Sequence, residues 1–224
     1  MNFKQLFGFG PKKPDLGWVT INDLGWQQTE RSNTNVRWQD TKHQSLLSLL
    51  FVAPNNYMSI PLSNINALRA DERKAAAMMR GGLIRYEVID VMGVKATESI
   101  SKTPLDGRPN GMSYSGSLVI PFKDCRYVIN IVSKEKGITG IRDSAVLDQC
   151  LDSGEVTMDD SGLQGWFKDP YLDSFQKGTL MNISEREEYD DKFPDHPLSI
   201  VRRNMKIVRE SIRFEKDIFG LKPF

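Results

Sequence analysis

Nine consecutive positions, Glu135-Lys-Gly-Ile-Thr-Gly-Ile-Arg142-Asp143, hold the densest group of side chains able to do chemistry in this chain. The run follows a strand-like segment and opens a helical one. Thr139 can cap that helix, which leaves backbone N–H groups, Gly140 and the Arg142 guanidinium near one helix end. Such an end holds a carboxylate or phosphate, so Thr139, Gly140 and Arg142 form a candidate anion site. The same residues admit a purely structural reading: Glu135 and Arg142 pair with each other or with neighbours and fix the strand-to-helix turn. With Tyr114 added, Glu135 and Arg142 make the set expected of a small-molecule or anion-binding enzyme, provided all three line one pocket.

Other chemistries find less support. The chain has two histidines, His43 and His196, far apart in sequence, and no Cys-x-x-Cys or His-x-x-x-His pair, so no metal site is expected. Tyr114-Ser-Gly-Ser117 is not the Gly-x-Ser-x-Gly nucleophile elbow and lies in a strand. Gly137-Ile-Thr-Gly140 lacks the dinucleotide-binding spacing, and no Gly-Lys-Ser/Thr phosphate loop occurs, so no cofactor is expected.

A second class of candidates would contact another protein. Trp166 and Phe167 stand in a stretch of weak pattern, 154–180, where aromatics either anchor a partner or plug a long loop onto its own domain. Residues 185–195 are acidic, and the helix after them is basic through Arg202, Arg203, Lys206, Arg209 and Arg213. The two can associate within the molecule, or the basic face, with Arg202 and Arg209, can meet an acidic partner. Overall, 30 basic against 29 acidic residues give a net charge of +1, which offers no global argument for nucleic acid. No apolar run approaches the roughly 18 residues of a membrane span, and the N-terminus lacks the apolar core of a secretory signal. Two cysteines, Cys125 and Cys150, both in apolar segments, read as buried free thiols. A cytoplasmic setting is expected, and a homo-oligomer if Trp166 and the N-terminal Phe3, Phe7 and Phe9 meet in a symmetric interface.

These groups need elements to carry them. Strands are expected over 17–22 and 46–52, the second nearly all apolar and therefore central, with a turn at 31–35. Helical spacing over 63–80 ends at Gly81-Gly82. A hairpin about Gly93 joins strands beginning at Leu83 and Val94, and 103–111 is a loop. Met112, Tyr114, Gly116, Leu118 and Ile120 share one parity, as do Cys125, Tyr127, Ile129 and Ile131, which predicts an antiparallel pair across Pro121–Asp124. A helix is expected over 139–151 with Ile141, Ala145 and Leu147 inward and Cys150 as a further inward candidate. A last helix from Pro197 buries Leu198, Val201, Met205, Val208 and Ile212, with Asp195 as a capping candidate and His196 placed to pack or cap at the same start.

Two segments carry a resemblance. Glu135-x-Gly-x-Thr-Gly-x-Arg142-Asp143 and Tyr189-Asp-x-x-Phe-Pro-Asp-His-Pro-Leu-Ser199 resemble a group of uncharacterised bacterial proteins, in which the first block usually ends Arg-Glu where Asp143 stands here. The order of elements is similar to the fold of the PsbP extrinsic protein of photosystem II and of a Ran-binding nuclear transport factor, whose members mostly bind other proteins or serve as assembly factors. The resemblance implies an α+β sandwich of six or seven antiparallel strands flanked by helices, with residues 1–15 as an arm and 16–224 as one domain. The expected function is a non-enzymatic interaction module, accessory or immunity-type, that binds a cognate protein partner. The alternative is the small-molecule or anion-binding enzyme with a site near the Glu135–Asp143 turn.

Overall fold

Alternating apolar side chains over 112–131 build the centre of the molecule. The computed structural model describes residues 12–54, 59–107 and 111–224; Phe3, Leu6, Phe7 and Phe9 lie outside them. In chain order the elements are β1 (Val19–Thr20), β2 (Gln27–Arg31), β3 (Asn35–Asp40), β4 (Ser45–Val52), α1 (Ile65–Met78), β5 (Gly82–Val91), β6 (Val94–Pro104), β7 (Met112–Pro121), β8 (Arg126–Lys134), α2 (Ile141–Ser153), β9 (Thr157–Asp159), β10 (Gly162–Gln164), α3 (Pro197–Ser211) and β11 (Arg213–Phe214). Seven of the strands form one antiparallel sheet in the order β2-β3-β4-β8-β7-β6-β5. The fold is α+β, with α3 against β7 and β8 and α1 against β5 and β6.

The predicted β7–β8 pairing is present. Tyr114 stands opposite Ser133, Gly116 opposite Ile131, Leu118 opposite Ile129 and Ile120 opposite Tyr127. Their inward side chains meet Leu198, Val201, Met205 and Val208 of α3 in the main core. Gly116 is required there, because a Cβ on it would press into the Met205 side chain. The β5–β6 hairpin turns on Met92-Gly93, both at positive φ, with the Asp90 carboxylate accepting from Gly93 N–H at 2.8 Å.

Other expectations shift in detail. β4 is interior as expected, but only one face is covered: Leu47 and Leu49 are buried while Leu46 is exposed. Only Val19–Thr20 of the first expected strand forms a ladder, with β11, after a 3-10 turn capped by Asp15. β2 has no apolar pattern and is exposed along its whole length, as an edge strand permits; the 31–35 turn joins it to β3. α1 ends before the expected glycines, with Met79 as its C-cap and Arg80 at φ 58°; Gly81 and Gly82 are needed for close approach instead, since a Cβ on either would overlap the Lys102 or Thr179 carbonyl.

One helix start differs from the prediction, and at the other the structure chooses between two candidates. Thr139 does not cap α2; Gly140 does so in the left-handed conformation at φ 76°, and no side chain caps that end. The buried stripe of α2 is Arg142, Val146 and Cys150, so Ile141 faces outward. At α3 the cap is His196, whose Nδ1 accepts from Leu198 N–H at 3.2 Å, and Asp195 is exposed. Among the described residues, no helix is long and apolar enough to cross a membrane.

Candidate functional site

β8 runs out of the sheet at Lys134, and the turn to α2 meets the chain entering α3. Between them opens a cleft of about 320 Å³. One wall carries Glu135, Ile138, Ile141 and Arg142; the other carries Phe193, Asp195, His196 and Pro197. His43, from the turn between β3 and β4, completes the rim, so both histidines of the chain line this one cleft. Sheet register is the cause: Ser45 pairs with Ser133, which sets the turn before β4 beside the end of β8.

Four of the polar groups of the cleft, Glu135, His196, His43 and Arg142, are bonded within the protein, and Lys134 and Asp195 are exposed at its rim. The Glu135 carboxylate accepts from Met112 N–H at 2.8 Å and lies 3.5 Å from His196 Nε2. Burial raises the Glu135 pKa, but the bonds from His196 and Met112 outweigh it and hold the carboxyl below its ordinary value. His196 uses its other ring nitrogen as the α3 cap. His43 Nδ1 sits 2.5 Å from Asp40 Oδ2. At Asp40 burial likewise acts upward, and the His43 and Lys42 hydrogen bonds bring the net shift below the ordinary value.

Arg142 is 1% exposed. Its Nε donates to Ser184 O at 2.6 Å and its Nη2 to Arg186 O at 3.1 Å. Its Nη1 reaches Ser199 Oγ at 2.8 Å and Asp190 Oδ1 at 3.0 Å. Asp190 also accepts from Arg202, whose Nη2 donates to Glu185 O at 2.6 Å. The Glu185 carboxylate is itself enclosed, taking Lys102 Nζ at 2.7 Å, Tyr114 OH at 3.1 Å and Asn182 N–H at 2.9 Å. Tyr114 is pushed well above the ordinary phenol range by burial first and by Glu185 next.

This geometry separates the sequence candidates. Glu135 and Arg142 do share a cleft. Tyr114 lies behind it, buried, edge-on to His196 with ring centroids 5.2 Å apart. At the anion site expected at Thr139, Gly140 and Arg142, every Arg142 nitrogen already donates to a protein acceptor, and Thr139 makes no cap. Glu135 and Arg142 pair with neighbours and not with each other. Trp166 is 4% exposed and packs on Val146, Cys150, Val156 and Ile183, so it plugs its own loop and offers no face to a partner; Phe167 beside it is exposed. Arg202 is tied to Asp190, and Arg209 grips both oxygens of the buried Glu98 at 3.0 and 2.8 Å. Cys125 and Cys150 are buried free thiols.

The cleft residues that sequence reasoning did not reach are His43, Ile138 and Phe193, together with Asp40 and Asp190 behind them. No spacing signal links 40–43 to 190–196; only the β4–β8 pairing does. Among the described residues, no group of three or more His, Cys, Asp or Glu is placed to hold a metal ion.

No family model matches the chain, and no curated protein does. Among solved structures the chain is similar to the cyanobacterial PsbP of Synechocystis sp. PCC 6803, at 12% identity and a TM-score of 0.36, covering 65% of this chain and 93% of that one. A likeness of that degree carries no argument about a site or an activity.

Proposed function

We propose that the chain is a non-enzymatic binding module whose cleft between the β8–α2 turn and the start of α3 receives an apolar, acidic segment of a protein partner. One observation carries the proposal. Glu135, His43, His196 and Arg142 are bonded within the protein, while Ile138, 81% exposed, and Ile141, 58% exposed, stand open at the mouth of the cleft. Exposed aliphatic side chains beside a concave surface favour an inserted apolar anchor. The charge on the rim supports the choice of partner: Lys134 and Lys136 are exposed there against Asp195. Two buried unpaired thiols accord with a reducing, cytoplasmic setting for this interaction.

Peptide phage display against the full chain, followed by anisotropy titration of the selected peptides, tests the reading. Selected sequences are expected to place one large apolar residue among Asp and Glu, and Ile138→Glu to weaken them about tenfold or more. Peptides that bind Ile138→Glu as well as wild type would refute it.

A second reading has its own observation. His43 lines the cleft with its Nδ1 held by Asp40, the arrangement of an oriented imidazole acid–base. Turnover of a small anionic substrate that disappears in both His43→Ala and Asp40→Asn would favour the enzyme over the binding module.

A further inference from the structure

The sheet face opposite α3 carries a different kind of surface. α1 covers it only over β5 and β6, where Leu68 packs on Leu83 and Tyr86. Beside that contact lies a cleft of about 190 Å³, walled by Asp71 and Glu72 of α1 and floored by β-strand hydroxyls. The floor follows from register. Tyr86 stands opposite Ser99, and Ser99 opposite Ser117, so three hydroxyl side chains lie in a row across β5, β6 and β7.

A sheet face next to a packed helix ordinarily fills with apolar groups, and buried polar groups there ordinarily find partners. This face stays polar, and of its hydroxyls Tyr86 and Thr97 bond each other. Ser99 is 7% exposed, yet its hydroxyl has no hydrogen-bond partner among the described residues. The Glu72 carboxyl, half-buried, makes no hydrogen bond or ion pair among them either. Burial, and then the neighbouring Asp71, raise its pKa. A hydroxyl without a protein partner and a desolvated carboxyl lining one cavity are groups that a ligand can bond.

We propose that this cleft binds a small organic cation through one primary ammonium group. The three N–H donors go to the Glu72 carboxylate and the Ser99 and Ser117 hydroxyls, and Asp71 adds negative potential. The tail lies against Leu68 and Val119, which supply apolar wall. Arg126 bounds the cleft where β8 begins, so a second positive charge at the tail end is disfavoured and the fitting ligand is a monoamine. The site lies on the opposite sheet face from the cleft of the proposed function and does not depend on it.

Titration of the full chain with n-butylammonium chloride at 0.15 M salt, followed by amide chemical shifts, tests the proposal. Shifts should centre on Ser99 and Ser117 with a Kd of about 1 mM, the scale expected of so small a ligand. Glu72→Gln should weaken binding about tenfold or more, since it removes a charge-assisted hydrogen bond. Ser99→Ala should weaken it about threefold without lowering the melting temperature of the free protein, because the hydroxyl it deletes is unpaired. Equal binding of the neutral 1-butanol would overturn the proposal, as would tighter binding of butyrate. Shifts spread over exposed acidic residues such as Asp191, or a Glu72→Gln variant that binds normally, would do the same.

Discussion

Arg142→Ala separates a structural guanidinium from a ligand-binding one. The substitution removes four hydrogen bonds from a side chain that is 1% exposed. Ser184 O loses its donor, and a buried acceptor left unpaired costs about 1–3 kcal/mol; Arg186 O keeps the Tyr189 N–H at 3.3 Å, so its loss is smaller. Ser199 Oγ still donates to Asp190 at 2.9 Å, so its share is smaller. Asp190 keeps Arg202 and is partly exposed, which reduces the loss from the broken ion pair to about 0–1 kcal/mol. The sum is about 3–5 kcal/mol, within the range seen when one member of a buried pair is removed. Urea unfolding followed by tryptophan fluorescence should show a lower midpoint at unchanged slope. The melting temperature should fall by about 6–20 °C, at roughly 2–4 °C per kcal/mol for a domain of this size. Arg142→Lys keeps the charge but not the fork and should lose about half as much. A destabilisation below about 1 kcal/mol would refute the accounting and return Arg142 to the list of ligand groups.

Three further outcomes follow from the same geometry. Lys102→Met should destabilise by about 3–5 kcal/mol, because it strands the buried Glu185 carboxylate; adding Glu185→Leu to it should recover most of the loss in a double-mutant cycle. Glu135 has a folded pKa below its ordinary 4.5, so its contribution is present above that value and is lost as pH falls through the folded pKa. Glu135→Gln should therefore be less stable than wild type at pH 7, with the difference shrinking below pH ~4.5 in thermal melts. Burial pushes the Cys125 thiol up to about 11, so native protein at pH 8 should resist maleimide labelling there, while unfolded protein labels quickly in a mass-spectrometric time course.

The legible parts of the fold are those whose signal is local. Met92-Gly93 specifies its hairpin through two residues at positive φ, and the parity of Tyr114 to Ile120 and Tyr127 to Ile131 specifies the central pair. The α3 stripe is equally direct, since Leu198, Val201, Met205, Val208 and Ile212 all bury. β2 was not legible because an edge strand of Gln, Thr, Glu and Arg buries nothing. The inward face of α2 was misread because Arg142 occupies it, and a buried arginine is intelligible only with its acceptors at 184–199 in view. Glu135 and Arg142 were found as site residues by local density. His43 was not, since its place beside them depends on pairing β4 with a strand some eighty residues later.

The stretch from Glu155 to Asp195 connects these observations. It forms one short hairpin and two 3-10 turns, and charged groups hold much of the rest in place. Asp169 pairs with Arg73 of α1, Glu185 with Lys102 of β6, and Asp190 with Arg142 of α2 and Arg202 of α3. Such pairs add little net stability over apolar contacts, but each accepts only one partner geometry, so they fix where an irregular chain lies. The segment ends at Phe193 to Pro197, which is one wall of the larger cleft. That wall is therefore set before any partner arrives, and a preformed wall reduces the ordering cost of binding. Under the proposed binding function, Arg142 and Glu185 would act on recognition through position alone: losing them should loosen the cleft, while Ile138 and Ile141 would make the contact.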